Sequence, residues 1–260
     1  MQRSAPHHDL EVAIESARIA GGILRSRFGQ VQRVRHKGEI DLVTEADEIE
    51  EQAIVAEIRR HFPTDSILAE EGSAGGENPE RRWIVDPLDG TTNFAHGYPF
   101  FAVSIALRVR GVLEAGVVYD PVRDELFTAR AGAGARLNGE PIHVSAIDRL
   151  EASFLCTGFP YDRSQMEAAL DLWRRFVVRA QAVRRDGAAA LDLCYVAMGR
   201  FDGFWEQSLQ PWDVAAGALM VAEGGGQLTS YGGTAFEIES PSILASNGLL
   251  HRELLRLLRT

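Results

Sequence analysis

Apolar residues recur at three- and four-residue steps from Leu10 through Ala13, Ile14, Ala17, Ile23 and Leu24, and the pattern closes at Gly29. Steps of that size line one face of a helix, so the spacing predicts a first helix opening at Asp9. A second helix is expected from Thr44, whose hydroxyl can cap the backbone while Asp47 reaches back from three positions on. Its apolar face runs through Ile49, Ala53, Ile54 and Ile58 and stops before Pro63. Residues 66–69 then read as a short buried strand ending in Glu70-Glu71, and 73–82 as a polar, glycine-rich loop. From 83 the period changes to that of strands: 83–85, 101–108, 113–119, 125–129 and two short pieces around Asn138-Gly139, a hairpin signal. Beyond 145 the two periods alternate. Helices are expected at 165–179, 188–198, 212–223 and from Leu249, and strands at 182–184, 203–206, 227–229 and 243–245. Interleaved helices and strands around an antiparallel-looking block imply a layered α/β or α+β fold. A division into 1–145 and 146–260 within one compact unit fits this order, although no linker marks it.

Composition narrows the function classes. A chain of 260 residues with a formal net charge of −10 argues against general nucleic-acid or membrane-surface binding. At this length roughly 75% of the unfolded surface is buried, so no covalent staple is needed. Cys156 and Cys194 sit in apolar surroundings without metal-ligand spacing and are expected as buried free thiols in a reducing compartment. The first nine residues lack a signal-peptide core, and His7-His8 belongs to a mobile end rather than to a metal site. No window approaches the ~18 apolar residues of a membrane span, so a cytoplasmic protein is expected.

The chemistry concentrates in residues 83–94. An apolar run ends in Asp86 and Asp89, followed by Gly90, Thr91, Thr92 and Asn93. Aspartates that close repel one another unless a cation lies between them. Gly90 lets the backbone approach an anion, and successive N–H groups after it suit phosphate oxygens. Glu70 and Asp213 also stand where an element begins or ends, the position at which open sheets place their ligands. All of these donors are oxygen, with the Leu88 carbonyl well placed to join them, which favours magnesium over zinc. The Thr91 hydroxyl can meet a metal-bound water. Cation and phosphate sites side by side point to metal-assisted phosphoryl chemistry.

Other residues receive plainer readings. His96 follows the motif closely but is read as a packed or loop histidine. Phe159, Tyr161 and Trp173 are read as packing. Arg174, Arg175, Arg179, Arg184 and Arg185 form a basic stretch, read as a solvated helix face or a dimer contact; without aromatic interleaving it does not suggest nucleic acid. Glu206 is a strand-end carboxylate able to accept sugar hydroxyls or to hold an ammonium group.

Four blocks in order resemble the inositol monophosphatase family over nearly the whole chain: 41–47, Ala69-Glu70-Glu71-Gly72, 83–100, and 210–217 with Glu223-Gly224-Gly225. The resemblance implies a layered αβαβα sandwich of the inositol monophosphatase and fructose-1,6-bisphosphatase type, usually a homodimer. It implies a first magnesium held by Glu70, Asp86, the Leu88 carbonyl and Thr91, and a second held by Asp86, Asp89 and Asp213. A third, weaker ion near Glu70 is part of that picture, with manganese as a possible substitute. Catalysis would fall to Glu70 and to Thr91 paired with Asp47, which orient and activate the attacking water. Gly90, Thr91 and Thr92 would hold the phosphate. Gly187, Ala188, Ala189 and Glu206 would meet the sugar, although Ala188 stands where the family often has a hydroxyl residue. The implied activity is hydrolysis of a small polyol phosphate, most of all myo-inositol 1-phosphate, with lithium sensitivity. Histidinol phosphate, fructose 1,6-bisphosphate and 3′-phosphoadenosine 5′-phosphate are the competing substrates, the last without the insertion a larger pocket needs. A regulatory docking protein built on the same fold is the non-enzymatic alternative, and only the arginine stretch supports it.

Overall fold

The computed structural model describes residues 6–30, 34–36, 42–72 and 75–259. Helix α1 (Pro6–Arg27) starts before Asp9 and α2 (Glu45–His61) directly after Thr44, whose expected cap, like Asp41 and the first five residues, lies outside the described side chains. Between them, β1 (Val34–His36) and β2 (Leu42–Thr44) form a small antiparallel pair that the sequence pattern did not suggest, because three residues are too few to show a period.

Seven strands build the larger sheet in sequence order: β3 (Asp65–Ala69), β4 (Asn78–Asp89), β5 (Ala102–Val109), β6 (Val112–Asp120), β7 (Glu125–Arg130), β8 (Gly134–Leu137) and β9 (Glu140–Ile142). Only β3 and β4 run parallel in this sheet. The expected hairpin at Asn138-Gly139 is present, with φ of 50° and 89° at its two central residues. The expected loop over 73–82 is shorter than that, because β4 reaches back to Asn78. Arg81 and Arg82 pair with Val109 and Arg108 of β5, and Arg81 is tied down by Asp9 and Asp65.

The smaller sheet has the order β11 (Ala182–Arg184), β10 (Phe154–Thr157), β12 (Gly203–Gln207), β14 (Ser242–Ser246) and β13 (Gln227–Thr229). Strand β10 went unread in the sequence; it is four residues long and lies parallel to both of its neighbours. Helices α5 (Ala189–Ala197) and α6 (Pro211–Glu223) pack against each other between the two sheets. Helices α1 and α2 cover the outer face of the larger sheet, and α4 (Met166–Val177) with α7 (His251–Arg259) covers the smaller one. The layers therefore run αβαβα, as expected from the resemblance.

Three apolar clusters hold the layers together, two outer ones and a central one that spans both faces of the α5–α6 layer. Val12, Leu24, Ile54, Trp83, Val85 and Phe101 fill one of the outer ones, and Ile84, Ala102, Ala190, Leu193, Val214 and Met220 the central one. Each buried Val, Leu, Ile, Phe or Met among them contributes roughly 1.5–3 kcal/mol. Cys156 and Cys194 are buried free thiols, as expected. No helix among the described residues is long and apolar enough to cross a membrane.

Candidate active site

The register of β4 against β5 explains how two aspartates three positions apart come to share a face. Asp86 lies opposite Ser104 and Asp89 opposite Ala102, so three steps on β4 match two on β5. An unbroken strand would send positions i and i+3 to opposite faces; one extra residue returns them to the same side. Ile84, Ala102 and Ala106 all belong to the central cluster, so this face looks toward α5 and α6. The displaced Leu88 donates its N–H to Asp86 Oδ1 at 3.0 Å.

Two helix starts then converge on the strand end. Asp89 Oδ2 accepts the Ala190 N–H at 2.7 Å, at the beginning of α5. Asp213 is the third residue of α6, after Pro211, and its Oδ2 accepts the Gln210 N–H at 2.7 Å. A carboxylate in the first turn of a helix is favoured by the partial positive charge there. Glu70 follows the last residue of β3, whose neighbour is β4, and its N–H donates to the Val85 carbonyl at 3.2 Å.

The electrostatics record the crowding. Burial pushes the Asp86 carboxyl well above the usual carboxylate range, and the charges of Glu70, Asp89 and Asp213 push it further. Asp89 rises to about 7, chiefly through burial, against the lowering effect of the α5 N–H groups. A buried carboxylate whose neighbours are carboxylates is stabilised by a bound cation. The donors are oxygen atoms, as a hard divalent ion requires, so the residues present fit magnesium. Among the described residues, the group whose ligand atoms lie within 4.8 Å of one another is a different one, Glu15, Glu57 and His61, where Arg60 bonds to Glu57 and already supplies positive charge.

After Asp89 the chain turns at Gly90, which holds φ 94° and ψ 35°, a left-handed conformation that glycine adopts without strain. A short helix, α3 (Thr91–Ala95), follows. The Thr91 hydroxyl lies 3.1 Å from Asp47 Oδ1 and 3.0 Å from the Leu88 carbonyl, so the expected Thr91–Asp47 pairing is present. Asp47 is buried, whereas Thr92 is exposed. Asn93 donates through one amide nitrogen to the carbonyls of Phe100 and Asp186, at 2.7 and 2.8 Å, and so ties this turn to the segment before α5.

A cleft opens beside the carboxylates, and Asp89, Gly187, Ala188, Ala189, Glu206 and Asp213 all line it. Ala188 is buried at 1% exposure and offers the cleft no hydroxyl. Burial raises the Glu206 carboxyl to about 8, while the Arg185 charge pulls it down.

Several sequence readings need correction. Arg185 lines this cleft instead of joining a basic surface with its neighbours. Arg184 lies over the Phe154 ring, and Arg175 donates to the Leu257 carbonyl. Phe159 and Tyr161 also line the cleft, and Tyr161 is 55% exposed, whereas Trp173 packs as expected. His96 is an exposed residue capping α3. Asp192 was not singled out at all: it is buried on α5, and burial with nearby Asp186, Glu206 and Asp89 pushes its carboxyl well up. The place of His96 in the turn after α3 agrees with the loop reading, whereas nothing in the local sequence signals the placements of Phe159, Tyr161, Arg185 and Asp192, because each depends on partners far away in the chain.

The model of the inositol monophosphatase family matches residues 6–260. The chain is 45% identical over 257 residues to a Pseudomonas aeruginosa protein named Nus factor SuhB, covering 95% of this chain and 94% of that one. It is 45% identical over 248 residues to an inositol-1-monophosphatase of Synechocystis, covering 94% and 86%. Among solved structures it is similar to the extragenic suppressor protein suhB of Bartonella henselae, with a TM-score of 0.94, 44% identity and coverage of 97% and 99%.

Proposed function

The chain belongs to the inositol monophosphatase family, and from that premise we propose that it hydrolyses a small polyol phosphate, most of all myo-inositol 1-phosphate, at the Asp86 cluster. The observation that carries this reading is the buried Asp86 carboxyl, surrounded by the charges of Glu70, Asp89 and Asp213 and lying beside a hydroxyl–carboxylate pair. Glu70, Asp86, Asp89, Asp213 and the Leu88 carbonyl would hold two magnesium ions, with a third, weaker ion near Glu70 and manganese as a substitute. Bound magnesium supplies charge neutralisation and a lowered water pKa.

The chain's own groups do the positioning. The Thr91 hydroxyl donates to Asp47, which leaves its oxygen lone pairs to accept a hydrogen bond from the attacking water and to hold it in line with the phosphorus. Asp47 is fixed and buried, so it sets the direction of that hydroxyl. The backbone N–H groups of Gly90, Thr91 and Thr92 hold phosphate oxygens as the P–O bond to the alcohol breaks. Water supplies the new P–O bond, and the alcohol leaves with a proton. Gly187, Ala188, Ala189 and Glu206 receive the alcohol half. We place the enzyme in the cytoplasm as a homodimer, sensitive to lithium as the family implies.

Two other readings have a specific observation behind them. Glu206 could receive the ammonium of histidinol phosphate; the Arg185 charge already acting on Glu206 favours a neutral alcohol instead. A docking role is favoured by relatives that carry the name Nus factor SuhB. Phosphate release by the purified protein with magnesium, comparing kcat/KM for myo-inositol 1-phosphate and histidinol phosphate, tests the reading. Preference for the inositol ester supports it, and preference for histidinol phosphate moves the substrate but keeps the chemistry. Turnover of neither ester, with magnesium still bound, contradicts this substrate assignment and makes docking the reading to test next.

A further inference from the structure

The Glu206 carboxyl occupies space that a side chain would otherwise fill. Strands β10 and β12 are parallel neighbours with Thr157 opposite Trp205, so the next pair along is Gly158 and Glu206. The Thr157 hydroxyl donates to the Trp205 carbonyl at 2.6 Å, which joins the two strand ends, and Trp205 stacks on Phe176 of α4 with ring centroids 3.8 Å apart, which anchors β12 to that helix. A Cβ placed on Gly158 would overlap the carboxyl carbon and both carboxyl oxygens of Glu206. Gly158 and Arg185 both line the cleft, so the carboxyl rests on bare backbone and is drawn by the Arg185 charge.

We infer that Gly158 is a specificity-determining positioning residue: lacking a side chain, it seats the Glu206 carboxyl where that group hydrogen-bonds a hydroxyl of the substrate's alcohol half. The inference rests on the proposed contact between Glu206 and the alcohol. It follows from local geometry, because any Cβ at position 158 displaces the carboxyl from its seat. The colliding atoms are the far end of a side chain with free torsions. An added methyl therefore moves Glu206 rather than the strand, and the variant keeps its fold.

The test is Gly158→Ala, assayed with magnesium on myo-inositol 1-phosphate and on p-nitrophenyl phosphate, whose alcohol half carries no free hydroxyl, alongside a crystal structure of the variant. The expected result is a KM for the inositol ester raised up to ~10-fold, as for loss of one hydrogen bond. The kcat should stay within about twofold, the KM for the aryl ester should not move, and Glu206 should be displaced. On a Glu206→Ala background, Gly158→Ala should add nothing, because the two changes act through one contact. That double variant also lacks the collision; if neither it nor Gly158→Ala folds, Gly158 serves the fold alone and the inference is overturned. An unmoved Glu206, or an unchanged KM in Gly158→Ala while Glu206→Ala raises it, overturns the inference and leaves the proposed function standing. An unchanged KM in Glu206→Ala overturns the proposed contact itself.

Discussion

The two ends of strand β4 handle buried charge in opposite ways. At the start, Arg81 lies between Asp9 and Asp65 at 3.0 and 2.9 Å, and the Trp83 indole N–H donates to Asp65 at 3.0 Å. Charge is balanced within the fold, and the Arg81–Phe62 contact at 5.2 Å adds a packed face. At the other end, Asp86 and Asp89 face Glu70 and Asp213, and the same kind of burial raises their carboxyls instead of pairing them. One end supplies stability. The other gives stability up, in a form that the proposed divalent cation would restore. The sign of the neighbouring charges, not burial, separates the structural end from the proposed catalytic one.

Removing a carboxylate at the functional end should have the largest effect. In Asp86→Asn or Asp213→Asn, kcat/KM in saturating magnesium is expected to fall by about 10³-fold or more, since several kcal/mol of charge stabilisation are lost. Asp86→Asn should also raise the Tm of the metal-free protein, because repulsion is relieved. Activity near that of the parent in either variant would break the comparison.

At the structural end the signs should reverse. Arg81→Leu removes the cation that Asp9 and Asp65 share and should cost about 3 kcal/mol, read by denaturant unfolding, while kcat is kept wherever the protein is folded. A variant as stable as the parent would show that the charge balance at this end contributes nothing.

Magnesium sharpens the contrast next. At about a hundredfold excess over its dissociation constant it should stabilise the parent by about 2.7 kcal/mol, with a clearly smaller rise in Tm for Asp86→Asn. Equal rises in the two proteins would place the ion elsewhere.

The smallest effect should appear with pH in the metal-free protein. The Asp89 pKa is raised from 3.8 to about 7, so between these values the folded state binds more protons than the unfolded state. Its contribution to stability is therefore full below about 3.8 and is lost as pH rises through about 7. Asp89→Asn should show a shallower loss of Tm between pH 5 and 8 than the parent. Identical slopes would contradict the assigned shift.

The two ends were not equally legible in the sequence. The pair Asp86 and Asp89 announces itself through local spacing, the Asp-Gly turn and the hydroxyl residues beyond, and Glu70 and Asp213 through the ends of elements. The interleaving of helices and strands followed from periodicity, because helices as long as α1 and α2 repeat their pattern several times, whereas the αβαβα order of the layers came from the resemblance. The Arg81 pairing joins residues 72 and 16 positions apart in the chain, and no local pattern marks it. The same holds for Arg185 and Gly158 in the cleft, and for the three- and four-residue strands β1, β2 and β10, which are too short to show a period. Residues whose role comes from a distant partner look ordinary in sequence. Those whose role comes from crowding their own neighbours do not.

The most direct test is a magnesium titration of phosphate release from myo-inositol 1-phosphate by chelator-treated protein. The account predicts negligible turnover without the ion and a saturable rise to full activity on its addition. Undiminished turnover by the chelator-treated protein would contradict a cation-assembled site at Asp86.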